Sequence, residues 1–271
     1  MINDDRAIRA RLLAAYDEQL RTDAEIPGAA TRARLGPLRV GTFAGGRGFV
    51  TYSRPSAGVG RELAGLVPEA LAYFTAQPDI REVEWKTRGH DDAPGLYEAL
   101  TSNGFMPEEP ESIMIGEARL LAVDVPLPDG VTLRRITEES DVRAMSAMQD
   151  EVFGDSVSVE MADELVARVA RGDELELWVA EADREIVTAG RLEPVPDSEF
   201  AGIWGGATRP RWRGRGIYRA LTAARARSAL ARGRTLINSD STEFSRPILE
   251  RSGLIAVSTT TPYLWRPNPS A

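Results

Sequence analysis

Cysteine is absent from this sequence of 271 residues, and histidine occurs once, at His90. Without cysteine there is no disulfide, no thiolate zinc site and no cysteine nucleophile. One histidine cannot build a multi-histidine metal site, so we predict no metal. A Ser-His-Asp triad would have to use His90, which lies in the polar stretch 88–92 that we interpret as a solvated turn.

Long apolar runs are also lacking. No segment approaches the roughly 20 consecutive apolar residues that a membrane helix requires. The first five residues include two aspartates and no basic residue, whereas a secretory signal begins with basic residues. We therefore predict a soluble cytoplasmic protein with no membrane partner.

Basic residues are outnumbered by acidic ones. The chain has 33 Lys and Arg against 41 Asp and Glu, which gives a net charge of −8. Nonspecific nucleic-acid binding depends on a basic surface, so we predict no nucleic-acid partner. The charge fits a cationic small substrate better. For the oligomeric state we expect a monomer or a homodimer.

The segment 123–130 concentrates proline and glycine between two periodic regions, which is typical of a domain boundary. We divide the chain near Pro126, into domains 1–126 and 127–271. Hydrophobic periodicity beyond this point predicts the order β-α-α-β-β-β-α-β-α-β-β. Three consecutive strands are expected to form a meander, and a final pair of strands is expected within 254–265. The pattern predicts an α/β fold.

The most informative stretch is Thr208–Ile217, which connects the last meander strand to a helix running to Arg232. Gly214 and Gly216 leave backbone N–H groups uncovered at the positive end of the helix dipole, and Arg213 and Arg215 add positive charge. A diphosphate would be held there. A solvated basic turn is the alternative, because glycine pairs are frequent in loops.

The pattern Arg211-x-x-Gly214-x-Gly216, in its strand-loop-helix setting, resembles the coenzyme A signature of the GCN5-related N-acetyltransferase (GNAT) family. The stretch 245–254, which follows a strand ending at Asn238, resembles the helix that follows in the family. The resemblance covers about half of the chain. It implies a mixed, mostly antiparallel splayed sheet flanked by helices, with acetyl-CoA bound in the opening of the sheet.

Site residues follow from this resemblance position by position. It implies a diphosphate cradle formed by the backbone of Arg213, Gly214, Arg215, Gly216 and Ile217, with Arg211 opening the motif. Ala207 and Thr208 would line pantetheine, and Asn238 and Ser245 would make polar contacts to the coenzyme. The implied reaction is acetyl transfer to an amine of a small molecule by direct attack in a ternary complex.

Leu249 occupies the position where many family members carry a tyrosine that protonates the leaving thiolate. Leucine cannot donate a proton. Three possibilities follow: water or another hydroxyl (Ser241, Ser245 or Tyr263) acts instead, the thiolate leaves unaided, or the domain binds acyl-CoA without turnover. A protein-modifying acetyltransferase is a further alternative.

Candidates for the general base are Glu193 and Glu199, near the turn between two strands that approach the thioester. A solvated turn carboxylate is the alternative for both. We take Glu193 as the candidate base and Ser241 as the candidate acid. Trp178 and Trp204 are interpreted as core residues, with a cation-binding platform as the alternative.

The first half repeats the layout faintly: a strand pair, Gly58-Val59-Gly60, a helix, a strand at 82–87, and Gly104-Phe105. An internal duplication explains this, and the arrangement resembles that of tandem GNAT proteins. Pro55 stands where Arg211 stands relative to its glycine pair, and Glu62 follows the pair and would repel phosphate. We therefore predict a degenerate GNAT-like first domain that binds no coenzyme.

Overall fold

The computed structural model of the chain describes residues 2–154, 157 and 159–267. These residues form two units, and each unit takes segments from both halves of the sequence. The first unit comprises the residues up to Ile113, Asp240–Arg246 and the residues from Ala256 on; the second comprises Met114–Ser239 and Pro247–Ile255. The boundary near Pro126 stays a prediction, and it falls in the non-helical, non-strand segment 122–130.

The first 117 residues contain four helices and six strands among the residues described. Their bounds are α1 Ile2–Gln19, β1 Thr31–Leu35, β2 Leu38–Phe43, β3 Arg47–Tyr52, α2 Ala57–Leu63, α3 Val67–Thr75, β4 Glu82–Arg88, α4 Leu96–Ser102, β5 Met106–Pro107 and β6 Glu111–Glu117. The rest of the described chain contains α5 Ala118–Leu121, β7 Val131–Ile136, α6 Glu139–Phe153, α7 Glu160–Ala170, β8 Glu176–Ala182, β9 Glu185–Pro194, β10 Phe200–Thr208, α8 Ile217–Ala231, β11 Leu236–Ser241, α9 Arg246–Arg251 and β12 Ile255–Trp265.

The sheet of the first unit has the order β1-β2-β3-β4-β12, and β5 also pairs with β12. Only β3 and β4 run parallel among these pairs. Along β4, Val83, Trp85 and Thr87 are buried while the residues between them are half-buried, as expected for a strand with one face on the core. The core on this face includes Phe74 of α3 and Phe105.

The sheet of the second unit has the order β11-β10-β9-β8-β7. Strands β8, β9 and β10 pair antiparallel in sequence order, so the predicted meander is confirmed. Strand β11 joins parallel to β10 after the α8 crossover. Helix α8 lies close on the sheet because its buried side is built largely from alanine. Both units thus have the predicted mixed α/β architecture.

Three elements differ from the sequence-based expectation. The predicted final pair of strands is one continuous strand, β12, because Pro262 removes only a donor: it stays in register with Lys86, and its carbonyl accepts the Glu108 N–H at 2.9 Å. Strand β1 was not predicted, since its five residues include two arginines and alternate only between exposed and half-buried. Strand β11 continues to Ser241, so Asn238 lies within it.

The interpretation of the His90 region as a solvated turn is wrong. The His90 side chain is 13% exposed, with Nδ1 at 2.7 Å from Ser258 Oγ and Nε2 at 3.0 Å from Asp17 Oδ1. The same Asp17 oxygen accepts a hydrogen bond from Arg21 at 2.9 Å, and Asp91 binds Arg21 through both carboxylate oxygens. This buried ion network orders the turn, because each charge is paired.

In the second unit, Glu176 at the start of β8 accepts hydrogen bonds from several side chains. Its side chain is 3% exposed, and its carboxylate accepts hydrogen bonds from Arg135, Ser228, Arg232 and the half-buried Trp178, the last at 2.8 Å from Nε1. Burial acts to raise the pKa of Glu176, but the hydrogen bonds from Ser228, Trp178 and Arg232 outweigh it, so the pKa is lowered.

We expect Glu176→Gln to destabilise the protein by about 2–4 kcal/mol at neutral pH, because it leaves two guanidinium groups short of a charged acceptor. The lowered pKa means that the Glu176 contribution is present above the ordinary value of about 4.3 and is lost as pH falls through the folded-state value. Urea unfolding of parent and variant between neutral and acidic pH measures this. Glu174→Gln, with the same charge change at an exposed position, is the control; an equal loss in both variants would contradict the expectation.

Candidate functional site

Strands β10 and β11 separate in the middle of the second unit. Their parallel pairing covers three residue pairs and ends at Gly202 with Asn238. Strand β10 then continues to Thr208 without β11 beside it in register. The backbone groups of β10 that would have continued the ladder therefore face an opening in the sheet, where an extended ligand can pair with them.

The same part of β10 is irregular on its other edge. The register with β9 shifts between Trp204 and Ala207, which is a β-bulge. Gly205 in the bulge has φ +60°, a conformation that favours glycine, and its carbonyl accepts a hydrogen bond from the buried Gln149 side chain. The bulge interrupts the β9–β10 ladder in the part of β10 that β11 no longer covers.

The glycine loop follows directly after β10. A short 3-10 turn, Pro210–Trp212, leads into Gly214 and Gly216, whose φ angles are +73° and +80°. Helix α8 begins at Ile217, and a Cβ atom added to Gly214 would meet nothing within 4 Å. The first N–H groups of a helix have no partner within the helix, so this open, positive helix end is suited to a phosphate group.

The arginines of the loop differ in what they contact. Arg213 is exposed and donates from Nε to the Thr208 carbonyl at 3.0 Å, and the Arg215 guanidinium lies over the Trp212 ring at 4.8 Å. Arg211 forms an ion pair with Glu185 at the start of β9, which offsets part of its charge. Arg213 and Arg215 thus supply the positive charge that is nearest to the glycines in sequence.

Asn238 carries an unpaired hydrogen-bond acceptor among the residues described. Its side chain is buried, and its Oδ1 atom accepts no hydrogen bond from the residues that the structure describes. An unpaired buried amide oxygen costs free energy, so a donor from a ligand in the adjacent opening would stabilise it. The orphaned Asn238 oxygen and the uncovered glycine loop therefore both fit an acyl-coenzyme A molecule, which offers amide N–H groups and a diphosphate.

Two other predicted contacts lie in the first unit. Ser241 and Ser245 belong to the segment Asp240–Arg246, which clusters with that unit. Ser241 Oγ is buried without a partner among the residues described, and Ser245 Oγ lies 3.3 Å from the Thr242 hydroxyl. Leu249 is 1% exposed in α9, so it serves as a packing residue.

The candidate base Glu193 is part of an ion network on the α7 side of the sheet. Its carboxylate accepts from Arg168 at 2.8 Å and from Arg191 at 3.2 Å, and it lies opposite Gly202 in the β9–β10 register. Two guanidinium groups occupy its carboxylate oxygens, so it would have to exchange one of them for an amine or water to act as a base. Glu199 precedes β10, and Thr235 Oγ1 lies 3.3 Å from its carboxylate.

Sequence reasoning missed two residues on α8 that lie against the bulge. A Cβ atom added to Gly206 would lie 2.6 Å from Tyr218 Oη, and one added to Gly190 would lie 2.6 Å from Arg225 Nη1. A signal was available: Tyr218 and Arg225 are seven positions apart, which places them on one helix face beside the buried Leu221.

In the first unit, the corresponding opening between β3 and β4 is filled by protein. Parallel pairing ends at Val50 with Trp85. Beyond it, Arg88 donates to Thr51 Oγ1 at 3.1 Å, and the guanidinium groups of Arg21 and Arg88 lie 5.5 and 5.8 Å from the centre of the Tyr52 ring. The glycines Gly58 and Gly60 lie inside α2, whereas Gly214 and Gly216 precede α8.

Comparison with known proteins agrees with this geometry. Residues 121–239 match the family model described as an acetyltransferase (GNAT) domain. A search of curated proteins found no match. None of the helices described is long and apolar enough to cross a membrane.

Solved structures resemble the chain over nearly its whole length. A GCN5-related N-acetyltransferase from Kribbella flavida is 17% identical and has a TM-score of 0.67, with 96% of each chain covered. A tandem GNAT protein from the clavulanic acid biosynthesis pathway is 14% identical with a TM-score of 0.60 and 97% coverage of each chain. A functionally unknown conserved protein from Staphylococcus epidermidis is 11% identical with a TM-score of 0.65, covering 91% of this chain and 98% of that one.

These similarities establish the fold, and the match to the GNAT domain model covers residues 121–239. The class that this fold defines is thus that of the GNAT-fold proteins. The fold along both halves of the chain is that of the tandem GNAT proteins, and residues 121–239 are similar to the GNAT acetyltransferase domain.

Proposed function

We propose that the second half of the chain, residues 127–271, binds acetyl-CoA and transfers the acetyl group to an amine of a small molecule. The observation that carries this proposal is the opening between β10 and β11, bordered at one end by the glycine loop of α8. A ligand with an extended amide-containing arm and a diphosphate matches these two features together. The family match supports acyl transfer in general.

In this proposal the backbone N–H groups from Arg213 to Ile217 hold the diphosphate. The β10 edge at Ala207 and Thr208 pairs with pantetheine, and Asn238 Oδ1 accepts a hydrogen bond from one of its amide groups. The β10 bulge offers backbone N–H groups to the oxygen that becomes negative when an amine attacks the thioester carbonyl. Holding amine and thioester together removes most of the entropic cost of their encounter.

The amine must lose a proton, and Glu193 is the proposed base, acting directly or through water. Ser241 stays a candidate for the acid, with its unpaired buried hydroxyl as the supporting observation. The first half, residues 1–126, acts in this proposal as a degenerate GNAT-like domain without coenzyme, since Arg21 and Arg88 fill its strand opening. Ser245 is proposed as a further polar contact to the coenzyme.

One observation favours a second candidate, a noncatalytic acyl-CoA-binding protein. Leu249, at the position where many relatives have a tyrosine, is buried and contributes no proton. Under this alternative the coenzyme would bind in the same opening, but no thiol would be released in the presence of an amine.

Two measurements on the full chain test the proposal. Calorimetric titration with acetyl-CoA is expected to give saturable binding, and a panel of polyamines, amino sugars and amino acids is expected to include one acceptor that releases free thiol, measured with Ellman's reagent. Coenzyme A without the acetyl group and reactions without amine are the controls. Binding without thiol release from any amine supports the noncatalytic alternative, and absence of binding removes both.

A further inference from the structure

Tyr218 and Arg225 lie on α8, and neither has a role in the reaction proposed above. Arg225 is fully buried, yet none of the described carboxylates pairs with it. Its Nη1 donates to the Arg191 carbonyl at 3.0 Å and its Nη2 to Thr222 Oγ1 at 3.2 Å, and its Nε has no acceptor in the described part of the chain. Burying a cation without an anionic partner costs free energy, so we expect Arg225 to have a role that offsets this cost.

The Tyr218 phenol is an acidic group that lies beside this cation. The Arg225 guanidinium lies 5.8 Å from the centre of the Tyr218 ring, on the same face of α8. Burial lowers the pKa of Arg225, and Tyr218 acts in the opposite direction. Arg191 of β9 is the other charged group that acts on Arg225, and it repels it. Negative charge that forms on the Tyr218 oxygen would therefore be offset by Arg225.

Two glycines leave room for Tyr218 and Arg225 beside the sheet. Tyr218 Oη lies where a side chain of Gly206 would begin, at 2.6 Å from an added Cβ atom. Gly206 is exposed and Tyr218 is half-buried, and the hydroxyl lies beside Gly206 at the β10 bulge. Gly190 likewise leaves room for the Arg225 guanidinium. The bulge lies past the point where β11 leaves β10, beside the opening.

We propose that Tyr218, in place of Ser241, is the catalytic acid that protonates the departing thiolate, and that Arg225 positions it and offsets the charge left on its oxygen. This inference rests on the proposed function and deepens it. The amine nitrogen forms a bond to the thioester carbonyl carbon, the C–S bond breaks with its electron pair moving to sulfur, and sulfur takes the Tyr218 hydroxyl proton. Glu193 takes the first proton, from the ammonium group before attack, and passes it to solvent. The second proton, which the nitrogen loses after attack, returns to the phenolate oxygen through water, so an amide and a free thiol result and Tyr218 is restored.

The role fits the absence of a tyrosine at Leu249. A thiolate leaving group gains from a proton donor, and positioned general acids contribute roughly 10²–10⁴-fold to rate. The donor would stand on the helix that follows the glycine loop, whereas Leu249 stands on α9. In this proposal the proton donor stands on α8, and the position on α9 where many relatives have a tyrosine carries the apolar Leu249.

The test is Tyr218→Phe in the full chain, which removes one oxygen and keeps the ring. With saturating acetyl-CoA and the best amine of the panel, we expect kcat to fall about a hundredfold. The dissociation constant of acetyl-CoA, measured by titration, is expected to stay within about twofold of the parent value. Tyr97→Phe, which removes a hydroxyl from an exposed tyrosine of the first unit, is the matched control and should leave kcat unchanged.

A second variant, Arg225→Met, tests the positioning residue. Exchange of an unpaired buried cation for an apolar side chain of similar length should leave the protein folded. We expect kcat to fall about tenfold while KM for acetyl-CoA is retained, a split that a loss of packing alone would not give. A Tyr218→Phe variant with the parent kcat, or one that loses acetyl-CoA binding together with activity, overturns the inference while the proposed function stands. A parent that binds acetyl-CoA but turns over no amine overturns the inference and the enzymatic proposal together.

Discussion

Replacing Gly214 and Gly216 together by glutamate is expected to weaken acetyl-CoA binding by about a hundredfold or more. Each new carboxylate would stand at the helix end proposed to hold the diphosphate. Two like charges about 4 Å apart repel by about 1–4 kcal/mol. Glutamate would also be strained at φ angles of +73° and +80°, by about 1–2 kcal/mol at each position. Calorimetric titration of acetyl-CoA into parent and variant gives the ratio of the dissociation constants.

A matched control separates repulsion from strain. Gly154 and Gly172, in the same unit, have φ angles of +83° and +75°, and an added Cβ atom at either would meet nothing within 4 Å. Gly154→Glu/Gly172→Glu therefore adds the same charge and similar strain at the ends of α6 and α7 instead of at the start of α8. We expect this control to bind like the parent. Equal weakening in both double variants would show that the loop has no special role, and an unaffected Gly214→Glu/Gly216→Glu variant would remove the proposed cradle.

The second large effect concerns the glycine pair of the first half. Gly60→Ala is expected to destabilise the protein by about 2–3 kcal/mol, because its Cβ atom would lie 1.9 Å from the Asp92 carbonyl oxygen, a backbone atom that cannot rotate away. Gly58→Ala, in the same helix, meets nothing within 4 Å and should stabilise it by about 0.5–1 kcal/mol, since alanine favours a helix over glycine. Urea midpoints of the two variants and the parent measure the difference.

The two substitutions control each other, since both replace a glycine of α2 by the same residue. If Gly60→Ala lowers the free energy of unfolding and Gly58→Ala raises it, Gly60 is needed for close packing against the backbone of residues 92–93. A neutral Gly60→Ala variant would mean that this contact opens freely, and the glycine pair of the first half would then need another explanation. Neither substitution is expected to change acetyl-CoA binding, because the proposed cradle belongs to the second unit.

The two glycine pairs have the same spacing in the sequence but different structural roles. Gly214 and Gly216 were predicted to form an anion-binding loop at the start of a helix running from Gly214; the helix α8 begins three residues later, at Ile217, and both glycines precede it with positive φ angles. Gly58 and Gly60 gave a similar spacing, but both are helical residues and one is a packing contact. Spacing alone does not separate these cases, because glycine is used both for unusual dihedral angles and for close approach.

The polar groups of the candidate site were predicted less completely. Asn238 was predicted from the motif, and its unpaired Oδ1 supports a role in binding. Tyr218 and Arg225 were not predicted, because their significance depends on the β10 bulge and on the small size of Gly190 and Gly206 across the sheet. His90 was interpreted as solvated, since its partners Asp17 and Ser258 are distant in sequence.

The sequence by itself determined the α/β class, the meander of the second half, the glycine loop ahead of α8 and the family resemblance. These features depend on local periodicity, on turn residues and on short-range spacing, which neighbouring residues in the chain specify. Only the tertiary structure decided where β10 parts from β11, which arginines fill the opening of the first unit, and that β12 is one strand paired with β4. Such features arise from contacts between residues far apart in the chain, where burial and charge pairing outweigh local preference.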